Sequence, residues 1–184
     1  MLTAAAQPAV GLVKSNVFEG LFVHMVRVRP GTPFAGALRE VGYDVAHPQS
    51  AYPTPVLQAC LHVAARQLLP GKPLAEAQWE LGRRFVDGFF KTLAGRTLGL
   101  LMPVFGAEGT VKQLPRFFSM GNTGSLITVK PEAEHVWHFE LRDRVPLCDF
   151  DAGIIEQGLR RAGVEPQVTV VERGPEHFVL RLSW

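Results

Sequence analysis

The chain has little of what usually names a chemistry. Only two of its 184 residues are cysteines, Cys60 and Cys148. They lie far apart with no CxxC partner, which excludes a zinc knuckle or dithiol redox motif. Cys60 sits in an apolar helical run and reads as a small buried hydrophobe. The formal charge is only +2, too weak to build a polybasic face, so no nucleic-acid partner is expected. No apolar run approaches the roughly 18 residues of a membrane span, so none is expected. Residues 1–14 lack the early basic region and sustained apolar core of a secretory signal. They read as a flexible lead-in to one domain spanning 1–184, placed by default in the cytoplasm.

Metal and catalytic motifs are equally scarce. Zinc needs clustered nitrogen and sulfur ligands, and the six histidines do not cluster. His135 and His138 are three apart on a predicted strand and point to opposite faces. His62 has no second ligand at helical spacing, and His24, His47 and His177 have no motif around them. There is no G-x-S-x-G. Ser125 follows a loop but lacks the strand-to-helix elbow of a nucleophilic serine. The run 121–124, GNTG, leads into a strand, so it lacks the helix N-terminus that makes a phosphate loop work. Asp149 and Asp151 flank a helix start, where capping alone accounts for carboxylates. No catalytic residue and no metal ligand is assigned.

What is present is patterning. Hydrophobic residues make up 47% and charged ones 20%, the balance of a soluble globular domain. The longest patterned run, 74–102, repeats Leu74, Gln78, Leu81, Phe85, Phe89 and Leu93 at helical spacing and predicts one broad-faced amphipathic helix. Its glycines each cost about 1 kcal/mol against alanine, so some of them should admit a close neighbour. Gly88, Gly95 and Gly99 are the candidates, either for helix packing, with 56–69 as the partner of the last two, or for a dimer contact.

Around that run the chain is punctuated by proline. Residues 17–28 suit a helix or a buried strand equally. A short helix follows over 33–41, with Gly42 as its C-terminal cap. Residues 43–55 read as a loop. Thr54 then offers an N-cap, with Pro55 at the first position of a helix to Leu69. Residues 104–124 read as irregular. Strands are predicted over 126–129 and 135–144, where Trp137, Phe139 and Leu141 alternate with polar residues. A helix over 150–163, capped by Asp149 or Asp151, leads to strands 167–173 and 177–184. The sum is an α+β layout with helices packed on one face of a four- to five-stranded antiparallel sheet and a hairpin–helix–hairpin C-terminal half.

With the elements laid out, the chain resembles a family of myxobacterial paralogues that share a domain of unknown function. The carriers are Gly42–Tyr43–Asp44, Tyr52–Pro53, LLPG at 68–71, the run from Glu76 to Arg96, LPRF at 114–117, GN at 121–122, and the helix 152–163. The layout is also similar to the ligand-binding fold of transport-particle (TRAPP) subunits, vinyl-reductase-like domains and bacterial haem–nitric-oxide-associated domains. That second resemblance implies a homodimer, a pocket for something apolar, or partner binding. The Tyr-x-Ser-x-Arg cluster of haem sensors does not occur, and no cofactor is expected.

One polar group stands out. Arg83, Arg84, Arg96 and Arg116, with Phe117 and Asn122 alongside, suit an anionic ligand or an acidic partner surface. The alternative leaves Arg83 and Arg84 as helix-surface charges paired with Glu80 and Asp87. The expected function is that of a non-enzymatic regulatory or adaptor module acting by protein–protein contact, with a small apolar ligand in its fold. The rival is an enzyme or sensor with an Arg-lined pocket assembled only in space.

Overall fold

The computed structural model describes residues 11–184, with the side chains at 94 and 101–103 left out. Two antiparallel sheets organise it. The larger runs in the order β4–β5–β7–β6, from β4 (Leu126–Ala133), β5 (Val136–Arg142), β6 (Gln167–Arg173) and β7 (His177–Ser183). Register places Trp137 opposite Leu182, Phe139 opposite Leu180 and Leu141 opposite Phe178. These six side chains are all buried, because alternation sends every second residue to one face. Pro131 lies on edge strand β4, where its missing N–H costs no ladder bond.

Two helices cover that apolar face. The crossover helix α6 (Cys148–Arg161) contributes Ala152, Ile155 and Leu159, and the long helix α5 (Leu93–Gly121) contributes Val111 and Leu114. The two-ribbon sheet with helices on one side is therefore as the pattern predicts. A smaller sheet, β2–β1–β3, was not foreseen. Its central strand β1 (Leu12–Lys14) pairs with β2 (Ala51–Pro53) and β3 (Asn122–Thr123). Residues 12–14, expected in the lead-in, are thus a paired strand; the rest of that lead-in, 1–10, lies outside the described residues. β2 likewise interrupts the loop expected over 43–55.

The remaining helices form a second core with α4. They are α1 (Ser15–Phe18), continuing as a π-helix over Glu19–Met25, then α2 (Pro33–Glu40), α3 (Thr54–Leu68) and α4 (Leu74–Phe89). The open choice over 17–28 resolves to helix as far as Met25, with 26–28 outside it, and a π-turn is the kind of irregularity that sequence spacing does not announce. Phe18, Phe22, Tyr43 and Tyr52 pack together at its centre with tilted and edge-on rings.

The single helix expected over 74–102 is instead two. Thr92 has extended backbone, its hydroxyl accepts from the Gly95 N–H at 3.1 Å, and α5 restarts there. An N-cap followed by a new helix changes the direction of the chain at 90–92. Residues 104–121, expected to be irregular, continue α5. Gly106 kinks it with φ +61°, a conformation that favours glycine. Val111, Leu114 and Phe118 recur at helical spacing, and burial against the sheet overrides the glycine and proline signals.

Three caps also differ. Thr54 is the first residue of α3, and its hydroxyl donates to the Gly11 carbonyl at 3.0 Å rather than capping the helix. Neither Asp149 nor Asp151 caps α6. Asp149 accepts both guanidinium nitrogens of Arg173, at 2.8 and 2.6 Å, and Asp151 turns inward.

Glycine also sets a close contact between α4 and α6. A Cβ on Gly82 of α4 would overlap the Phe150 carbonyl of α6, and one on Gly153 of α6 would overlap the Trp79 carbonyl of α4. The two helices therefore meet backbone to backbone. Polar pairs flank the seam: Arg83 reaches Glu156 at 3.4 Å, and Arg161 reaches Asp87 at 2.6 Å.

Candidate functional site: a cavity between the two cores

The two apolar cores do not close completely on each other. Between them lies a cavity of about 130 Å³, comparable with engineered apolar cavities that bind benzene or xenon. From α4 come Phe85, Val86 and Phe89, and from α6 come Phe150, Asp151 and Ile154. Opposite them, α5 supplies Leu98, Thr110, Leu114, Phe117 and Phe118. Val13 of β1 and Leu57 of α3 belong to the lining too. The α4–α6 glycine contact thus fixes one wall, and the sharp restart at Thr92 lets α5 return across the other.

One end of this apolar space is polar. The Asn122 amide nitrogen donates to the Ser125 hydroxyl at 2.8 Å, and that hydroxyl donates to Asp143 at 2.5 Å. The other Asp143 oxygen accepts from the Val145 N–H at 3.0 Å. The chain of bonds orients the Asn122 amide, whose oxygen is left buried without a hydrogen-bond partner. Away from that end, about 18 Å back along α5, Thr110 is 1% exposed, and its hydroxyl is also without one. Native proteins satisfy the great majority of such groups. Asp151 completes the set. Burial, and next the charge of Asp143, hold its carboxyl well above the usual carboxylate range.

The structure distributes the sequence-derived candidates unevenly. Phe117 and Asn122 line the cavity, and none of the four arginines does. Arg83 and Arg84 both pair with Glu80, at 2.6 and 2.7 Å. Burial pushes the Glu80 carboxyl up, but the two guanidiniums outweigh it and hold the carboxyl low. Arg96 and Arg116 are exposed on α5. The glycines pack internally. Gly88 faces the Gly20 carbonyl, Gly95 the backbone of Phe89 and Phe90, and Gly99 the Phe90 ring. The neighbour of Gly95 and Gly99 is thus the turn before α5 rather than α3.

Sequence reasoning missed Ser125, Asp143 and Asp151 as a group, because two loops and a helix bring them together only in space. The histidines lie elsewhere. His24, His47, His138 and His177 pair with nearby carboxylates outside the cavity. His135 sits in the β4–β5 turn with φ +56° rather than on a strand. Among the described residues no group of three or more His, Cys, Asp or Glu is placed to hold a metal ion. None of their helices is long and apolar enough to cross a membrane.

Residues 12–184 match the family described as protein of unknown function (DUF2378). The chain belongs to the DUF2378 family. No curated protein matches it in sequence. Among solved structures, this DUF2378 chain is similar to an H-NOX protein from S. oneidensis in the Fe(II)NO ligation state. The TM-score is 0.71 at 14% identity, over 92% of this chain and 98% of that one. A Cs H-NOX mutant gives 0.67 at 17% identity, over 92% and 95%. A T. Tengcongensis H-NOX mutant gives 0.60 at 18%, over 82% and 85%. At such identities the likeness establishes a shared fold, and function has to be argued from the site.

Proposed function

We propose that the chain is a non-enzymatic receptor module that binds a small apolar ligand between its two cores and passes its occupancy to a protein partner. The single observation that carries this reading is the cavity at the seam of the two cores, apolar along its walls and polar at one end. A ligand there contacts α4, α5 and α6 together, so binding alters how the helical core sits against the sheet-backed core. That is a differential contact of the kind a sensor needs.

Haem is the group named for the H-NOX family. The residues here do not fit it. The described lining contains no histidine, cysteine, tyrosine or methionine, the side chains that usually ligate haem iron. Its ionisable members are Asp143 and Asp151, the wrong sign for the carboxylates of a porphyrin edge. The proposed ligand is therefore a different one.

A homodimer is part of the same proposal. Leu93 is 85% exposed, Leu100 79% and Val104 80%. Spaced at seven and four residues, they share one face of α5 and offer an apolar stripe for a second copy. Native mass spectrometry of the purified protein tests both parts. The expected spectrum shows a dimer mass carrying a small non-covalent adduct. A bare monomer that also takes up no apolar probe contradicts the reading.

A further inference from the structure

We propose that the ligand class is a compact apolar amine, its hydrocarbon body among the cavity's phenylalanines and its ammonium at the Asn122–Ser125–Asp143 end. This rests on the cavity being the binding site and goes beyond it by naming the head group.

The argument starts from what the polar end offers. The Asn122 amide oxygen is buried and unpartnered, and the residue lines the cavity. The Asn122 oxygen can only accept, because its amide nitrogen is committed to Ser125. Asp143 accepts from two donors already and has lone pairs to spare. These acceptors call for a donor-rich head. An ammonium has three donors and no acceptor, whereas an alcohol brings a single donor.

Charge points the same way. The described lining contains no lysine, arginine or histidine, so the two carboxyl groups have no built-in cation there. Placing a charge in a dry site is costly unless it is paired. An ammonium beside Asp143 meets that condition. Phe85, Phe117 and Phe118 present aromatic surface to the remainder. An anionic head would face two acids and no donor cation.

The test is a titration of the full chain, followed by amide chemical shifts, with four probes of one shape: benzylamine, benzyl alcohol, toluene and benzoate. The expected order is benzylamine first by at least tenfold over toluene, benzyl alcohol between them, and benzoate last. Asp143→Asn should weaken benzylamine by tenfold or more and leave toluene unmoved. Asn122→Leu, close in size, should weaken it several-fold. If Asp143→Asn fails to fold, as its melting curve would reveal, the Asn122→Leu variant decides alone. Toluene binding as tightly as benzylamine overturns the amine and leaves the apolar site standing. Benzoate binding tightest also overturns it. No binding by any probe overturns both readings.

Discussion

Gly153→Ala is the substitution that examines the architecture of the site most sharply, because Gly158→Ala on the same helix controls for the change in helix propensity. At Gly153 a Cβ would run into the Trp79 carbonyl and lie 3.1 Å from the Arg83 nitrogen. Both neighbours are backbone of α4 and cannot rotate away. At Gly158 a Cβ meets nothing within 4 Å. In a helix interior alanine is favoured over glycine by about 1 kcal/mol, so Gly158→Ala should stabilise the chain by about 0.5–1 kcal/mol. The same propensity gain applies at Gly153 but is opposed by overpacking, typically 1–3 kcal/mol and more where backbone must move. The net expectation is a loss of roughly 1–2 kcal/mol. Urea unfolding measures both variants under one slope, and for a chain of this length each kcal/mol moves the melting temperature by roughly 2–4 °C. Because the α4–α6 contact also sets one cavity wall, Gly153→Ala should weaken probe binding as well. If it unfolds at the same urea concentration as the parent chain, the backbone contact is wrong and the cavity wall with it.

Other consequences are direct. Asp151 has a carboxyl pKa raised by burial and by Asp143, so the folded chain holds that proton more tightly than the unfolded one. Its contribution is fully present below pH ~3.9 and is lost as pH rises toward the folded value. Asp151→Asn should therefore flatten that decline in urea titrations across pH, and an unchanged slope would refute the assignment. Burial pushes the thiols of Cys60 and Cys148 up to about 12, so neither should react with a disulfide reagent at neutral pH until the chain unfolds. Fast labelling of either in the native protein contradicts that burial. Removing the two-pronged contact to Asp149 with Arg173→Met should cost about 1–3 kcal/mol in urea unfolding, and a neutral result would show the pair to be dispensable. Leu100→Glu should turn a dimer into monomers in sedimentation, leaving the melting temperature of the monomer nearly unchanged; an unaltered mass would place the interface elsewhere.

The two halves of the fold were not equally legible. The C-terminal half could be read closely, because strands buried on one face alternate and Trp137, Phe139, Leu141, Phe178, Leu180 and Leu182 all do so. The helical half could be read for its elements but not for its joints. Thr92 carries a capping side chain, yet the apolar period runs straight through it, and the turn chemistry prevailed. Gly106 and Pro115 punctuate 104–121 like a loop, while the sheet behind them rewards a helix. For the site, Phe117 and Asn122 were singled out by sequence, but beside arginines whose charges are spent on Glu80 or exposed on α5. The polar end joins Asn122, Ser125, Asp143 and Asp151 from separate elements, and no spacing along the chain encodes such a convergence.

The measurement closest to the central claim is the thermal melt of the chain against rising toluene, run in parallel with Val86→Phe. Val86 is buried on the α4 wall, so a phenylalanine there should occupy the space that the ligand needs. Ligand at one hundred times its Kd stabilises by about 2.7 kcal/mol, a rise of roughly 5–11 °C for a domain of this size. The account expects that rise in the parent chain and its absence in the variant. A parent melt that toluene does not move, or a variant that responds equally, would contradict it.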